Sequence, residues 1–151
     1  MKIVSRALCL LLVLFVVNAA FAVDFANAQY FKKNENGKKS DPVSGVLRIT
    51  PESKELKFVG KKGDEAFVVK STQIKSVMYE RTAKPRYAAG LLIAWPLLFT
   101  KSKSHYLTIQ YDSGSGEAQY AIVKMDKSNY RDVLATIETK LDTKVQRVEE
   151  N

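Results

Sequence analysis

From residue 43 to 125, apolar side chains recur at alternate positions in short runs, separated by clusters of glycine, proline, serine and charge. That period is the signature of strands with one buried face. "VSGVLRIT" (43–50) carries Val46, then Leu47 and Ile49. "ELKFVG" (55–60) sets Leu56, Phe58 and Gly60 against Lys57 and Val59. "EAFVVK" (65–70) predicts a third strand, which "STQ" (71–73) breaks. "IKSVMYER" (74–81) predicts a fourth, with Val77 and Tyr79 on one face. "HYLTIQY" (105–111) places Leu107, Ile109 and Tyr111 together, and "AQYAIVKM" (118–125) pairs back on it through the glycine-rich turn "DSGSGE" (112–117).

The period then changes. Tyr130, Val133, Leu134, Ile137 and Leu141 fall at i, i+3, i+4, i+7 and i+11, one stripe of an α-helix, with Arg131, Glu138 and Lys140 off it. Asp126 or Ser128 is the expected N-cap, and the helix is expected to end near Leu141 or Asp142. The predicted fold class is α+β: mostly antiparallel β, a small, partly open barrel whose uncovered end is capped by one C-terminal α-helix.

Upstream of the strands the pattern is different. Lys2 and Arg6 precede an apolar run, Ala7–Val17, and Ala20-Phe21-Ala22 follows with small residues where a signal peptidase reads. Residues 1–22 therefore read as a signal peptide cleaved after Ala22, with Ala28 as a second candidate. An uncleaved anchor is disfavoured because the run falls short of the about 20 residues a membrane span needs. The expected location is exported, periplasmic or secreted, and possession of a lipid anchor is not expected, since Cys9 lies inside the apolar run. Residues 23–42, polar and lysine-rich, read as a flexible linker. Residues 43–145 form the domain, and 146–151 a tail.

Cys9 is the only cysteine, so removal of the leader leaves no disulfide and the domain must rely on its core. Net charge is +8 for the whole chain, and Lys2 and Arg6 contribute two of those charges. A basic exported chain is attracted to anionic surfaces. The charge is spread and interleaved with acids, which argues against nucleic acid.

His105 is the one histidine. With no cysteine beside it, no nucleophile–base pair or metal cluster can be assembled from sequence neighbours, and it reads as a surface residue at the start of a strand. No G-x-S-x-G elbow or phosphate loop is present. Neither an enzyme nor a cofactor is expected. Lys101, Lys103 and His105 read as the solvated start of a strand in preference to a phosphate patch.

One segment stands apart. Residues 87–100 are fourteen uncharged positions, mostly large and apolar, flanked by Arg81, Lys84, Arg86, Lys101 and Lys103. As a helix they would reach about 21 Å, short of the about 30 Å of a bilayer core. Pro96 would break that helix, and Trp95 before it is biased to extended backbone. The segment is either core or a projecting apolar loop that enters a membrane interface or a partner. Tyr87 and Trp95 prefer interfaces. The candidate binding residues are Arg86, Tyr87, Leu91, Leu92, Ile93, Trp95, Leu97, Leu98, Phe99, Lys101 and Lys103. The expected partner is a membrane surface or another protein chain.

The paired strands "GVLRIT" and "ELKFVG", the phrase "VVKSTQIKSVMYER", the hairpin "HYLTIQYDSGSGEAQYAIVKM" and the helix "SNYRDVLATIETKL" together resemble the pleckstrin-homology and GRAM-like superfold, over roughly 43 to 145. "KSKSHYLTIQY" and "KLDTKV" are similar to segments of a group of exported bacterial proteins of unknown function. The resemblance implies a binding scaffold. In that superfold the inositol-phosphate site is a basic cluster at the first hairpin. Arg48, Lys54, Lys57, Lys61 and Lys62 lie near that position here, without the family's spacing.

Overall fold

The computed structural model describes residues 21–31, 42–83 and 102–148. Eight strands form a single sheet in the order β4-β3-β2-β1-β7-β6-β5-β8. They are β1 (Val23–Phe31), β2 (Val43–Thr50), β3 (Glu55–Gly60), β4 (Glu65–Lys70), β5 (Ile74–Thr82), β6 (Ser104–Asp112), β7 (Ala118–Met125) and β8 (Val145–Val148). One 3₁₀ turn, Ser71–Gln73, separates β4 from β5, and α1 (Tyr130–Lys140) lies between β7 and β8. The sheet curls without closing, with β4 and β8 as its edges. This is the predicted α+β class, an open antiparallel sheet with one C-terminal helix.

The strands from 43 to 125 follow the alternation read above. Leu47, Ile49, Leu56, Phe58, Val69, Val77, Leu107, Ile109 and Val123 all point into one core. Each such side chain contributes about 1.5–3 kcal/mol when fully buried. The β2–β3 crossing is tight: a Cβ on Gly45 would strike the carbonyl oxygen of Val59, so only glycine fits there. The β6–β7 turn uses Gly114 and Gly116 at φ 86° and 80°, and the Gly114 N–H donates to Asp112 Oδ1 at 2.8 Å.

Helix α1 lays Val133, Leu134 and Ile137 on that core, and Leu141 follows them into it. Its start differs from expectation. Asn129 is the N-cap residue, and its side chain makes no capping bond. Its Nδ2 donates instead to the Ala26 carbonyl at 3.1 Å, tying the helix start to β1. Asp126 is engaged one step earlier: its Oδ1 accepts from the Ser128 N–H at 2.8 Å and from Ser128 Oγ at 2.6 Å.

Two expectations at the ends of the domain need correction. Residues 23–31, assigned to a linker, are strand β1, which pairs with β2 on one side and β7 on the other. Phe25, Ala28, Tyr30 and Phe31 are buried. A register shift between Phe25 and Ala28, with Asn27 at φ 59°, interrupts the alternation and hides the strand from a period-2 reading. The described part of the tail assigned from 146 is likewise strand: Val145–Val148 runs parallel to β5, with Val77 opposite Val145 and Glu80 opposite Val148.

The sheet is also buried on its second face along one half. Phe31, Met78, Tyr106, Thr108 and Ile122 alternate with the core residues of their strands, and all are shielded from solvent. Met78 faces Thr108 across β5–β6, Thr108 faces Ile122 across β6–β7, and Ile122 faces Phe31 across β7–β1. The rings of Phe31 and Tyr106 lie 6.3 Å apart.

Candidate functional site

Cross-strand register gathers charge at one corner of the sheet. Arg81 near the end of β5 is paired with His105 at the start of β6, and His105 with Met125 at the end of β7. Lys124 is paired with Gln29 of β1. The chain leaves this corner at Ala83 and returns at Ser102. A cleft of about 610 Å³ opens here between Asn27 and Gln29, Arg81, the run Ser102–His105, and Lys124–Lys127. A second hollow of about 300 Å³ shares Arg81, His105 and Lys127 with it and extends to Tyr130 and Arg131 of α1.

The floor between the two hollows is aromatic. His105 is only 6 % exposed, which corrects the surface reading of this residue. Its Nδ1 shares a 2.8 Å hydrogen bond with Tyr79 Oη. Tyr130 lies flat on the imidazole, with centroids 3.8 Å apart and planes inclined by 15°. Tyr79 is almost parallel to Tyr130 at 5.7 Å. Arg131 Nε–H donates to Tyr130 Oη at 3.0 Å. Burial, and then the charges of Arg81, Lys127 and Arg131, hold the imidazole below its ordinary pKa of 6.5. The histidine is therefore a neutral ring fixed among cations.

Asp126 is the carboxylate of the cleft lining. The Ser128 hydroxyl and N–H hold it below its ordinary pKa of 3.8, so it stays ionised. Against it stand Arg81, Lys103, Lys124 and Lys127. The arrangement is a shallow, net-positive pocket with neutral hydrogen-bonding groups, Asn27, Gln29, Ser102 and Ser104, around its rim. It can hold an anion.

Of the candidate binding residues read from sequence, Lys103 alone falls among the described residues, where it is exposed and lines the cleft. Arg86, Tyr87, Leu91, Leu92, Ile93, Trp95, Leu97, Leu98, Phe99 and Lys101 lie outside them. The basic residues near the first hairpin do not form a comparable site. Arg48 donates to Asp24 through Nε at 2.5 Å and Nη2 at 2.6 Å, and Lys57 Nζ to Glu65 Oε1 at 3.2 Å. The sequence reading overlooked Lys124, Lys127 and Arg131 as site residues. The hairpin's symmetry held the signal for one of them: pairing His105 with Met125 carries the chain ends onward to bring Lys127 to the same rim as Lys103.

No family model and no curated protein matches the chain. Among solved structures, it is similar to the one described as "Structure of the Spt16D Pob3N heterodimer", with a TM-score of 0.52 at 11 % identity, covering 87 % of this chain and 57 % of that one. The fold is pleckstrin-homology-like. At that identity the likeness extends to the fold alone, and this chain spans little more than half the length of the other. In this pleckstrin-homology-like sheet the basic cleft sits where β1, β7 and β6 meet the start of α1.

Proposed function

We propose that the protein is an exported, non-enzymatic binding domain that attaches to an anionic membrane or envelope surface. The observation that carries this reading is the position of the cleft. Arg81, Lys103, Lys124 and Lys127 line it, and they flank the points, Ala83 and Ser102, between which the chain's apolar segment 87–100 runs. Cations beside an apolar stretch suit an interface with headgroups outside and acyl chains beneath. Leu91, Leu92, Ile93, Leu97, Leu98 and Phe99 would each add about 0.3–0.6 kcal/mol on an insertion scale. Each cation adds about 1 kcal/mol at an anionic surface.

Export is supported by the leader-like start of the chain. Cleavage after Ala22 leaves β1 whole from Val23, whereas cleavage after Ala28 would remove the buried Phe25.

Flotation with liposomes tests the reading, with Trp95, the only tryptophan, as reporter. Vesicles containing anionic lipid should carry the protein up the gradient and shift Trp95 emission to the blue, and Leu92→Glu should abolish both without unfolding the domain. If Trp95 is already blue-shifted and protected from quenchers without lipid, and Leu92→Glu unfolds the protein, segment 87–100 is core and the reading falls. A second reading, a protein-interaction module using the same segment, draws on the neighbour being a heterodimer. It predicts no response to lipid and a dimer that Leu92→Glu dissociates.

A further inference from the structure

We propose that the corner cleft is a binding site for a phosphomonoester, held by Arg81, Lys103, Lys124 and Lys127. This deepens the surface-attachment reading and depends on it only for where the phosphate comes from.

The first argument is charge. Some basic side chains outside the cleft sit beside acids: Arg48 with Asp24, Lys57 with Glu65, and Arg147 with Glu138. In the cleft, Arg81, Lys124 and Lys127 form no ion pair among the described residues. Clustered like charge lowers stability. A fold that keeps such a cluster around a hollow is suited to an anion that arrives from outside.

The second argument is the count. Arg81, Lys124 and Lys127, with Arg131 of the adjoining hollow, face one ionised carboxylate among the described lining residues, Asp126. That excess suits a dianion better than a single charge, which distinguishes a phosphomonoester from a diester. Arginine and lysine are the usual donors to phosphate oxygens.

The third is the remainder of the lining. Asn27, Gln29, Ser102 and Ser104 supply neutral polar groups suited to the hydroxyls of the alcohol that carries the phosphate. A hollow of about 610 Å³ falls within the range of roughly 300–1,000 Å³ found for small-molecule sites.

His105 reports on occupancy. Its ring faces Arg81 and Tyr79 from β5, Lys127 from the loop before α1, and Tyr130 and Arg131 from α1. Lys103 and Asp126 line the same cleft. A bound dianion offsets the cations that disfavour its protonation and should raise its titration midpoint.

The experiment follows the His105 ring resonance by NMR during titration with glycerol 3-phosphate, with glycerol and dimethyl phosphate as controls. A saturable shift with the monoester, a raised His105 midpoint and weaker binding of dimethyl phosphate are expected. Arg81→Ala and Lys127→Ala should each weaken binding about tenfold, the scale of losing one charge-assisted hydrogen bond. Both residues are exposed, so the fold should survive. Lys75→Ala, six residues back along β5 and so about 20 Å from Arg81, should bind as the parent does.

A second arm compares phosphatidylcholine vesicles carrying phosphatidic acid with others carrying phosphatidylglycerol at matched surface charge. Preference for phosphatidic acid assigns the phosphate to a lipid headgroup. Equal binding to both, with a saturable response to glycerol 3-phosphate, assigns it to a soluble ligand. The site is refuted if glycerol 3-phosphate gives no saturable shift, if dimethyl phosphate matches it, or if Arg81→Ala and Lys127→Ala bind as the parent. Vesicle binding that persists in that case would leave the surface-attachment reading standing alone.

Discussion

Strands β3 and β6 belong to the same sheet and obey different rules. In β3, buried residues strictly alternate with partly exposed ones. Its outer face is wet, and Lys57 there reaches Glu65 of the neighbouring strand. In β6, five successive residues from His105 to Ile109 are buried. Leu107 and Ile109 enter the core under α1, while Tyr106 and Thr108 are shielded on the opposite face. The comparison extends to each half of the sheet: β2–β4 have one dry face, and β5–β7 have two. Alternation in a sequence therefore measures how many faces are dry as much as whether a strand exists. The site lies at the corner of the two-sided half, where the pairing of β5, β6 and β7 positions Arg81, His105 and Lys124 on adjacent strands.

The largest expected effects fall on the inner face and should be alike in both halves. Phe58→Ala in β3 should cost about 3–5 kcal/mol, and Ile109→Ala in β6, or Leu134→Ala or Ile137→Ala in α1, about 2–5 kcal/mol, by urea denaturation. A change below about 0.5 kcal/mol at Leu134 or Ile137 would separate the helix from the core.

The outer faces should differ. Ile122 of β7 is fully buried, and Ile122→Ala should cost about 2–5 kcal/mol. Val59 of β3 is partly exposed, and Val59→Ala should cost less than about 1 kcal/mol. Equal costs would erase the distinction between the halves.

Acid should sharpen it further. The folded-state pKa of His105 is depressed below 6.5, so the unfolded chain takes up the proton first. Stability should be undiminished above the unfolded value of about 6.5, fall as pH drops from there, and level off below the folded pKa. His105→Gln should flatten that part of the profile.

The smallest effect belongs to the wet half. The Arg48 hydrogen bond and charge hold Asp24 below 3.8. Its contribution is present above the unfolded carboxylate value and is lost as pH falls through the folded one. Both side chains are more than a third exposed, so Asp24→Asn should cost only about 0.2–1 kcal/mol, and less at high salt.

The sequence made the middle of this fold readable because periodicity is a local property. The hairpin from His105 to Met125 and the stripe from Tyr130 to Leu141 needed no information from elsewhere. β1 was hidden because its bulge at Ala26-Asn27 shifts the phase between Phe25 and Ala28. β8 was hidden because two of its four residues, Gln146 and Arg147, are exposed, and a short parallel edge strand depends on its partner β5. The cleft was half-readable. Arg81, Lys103 and His105 stand out in the basic flanks of the apolar run, but Gln29 joins them only through the β1–β7 pairing, which no local pattern encodes.

That pairing also governs how the chain folds. β1 finds β2 across one short connection, but its other edge needs residues 122–124 of β7. Until those residues are in place, β1–β4 form a meander with an unsatisfied edge at β1, and the closure that joins the halves bears the entropy of a long loop. Contacts of such wide sequence separation put folding in the range of about milliseconds to seconds. During that interval the open edge of β1 can pair with another chain as readily as with its own β7. Truncation before Ala118 would remove β7 and leave that edge of β1 open to pairing with other chains.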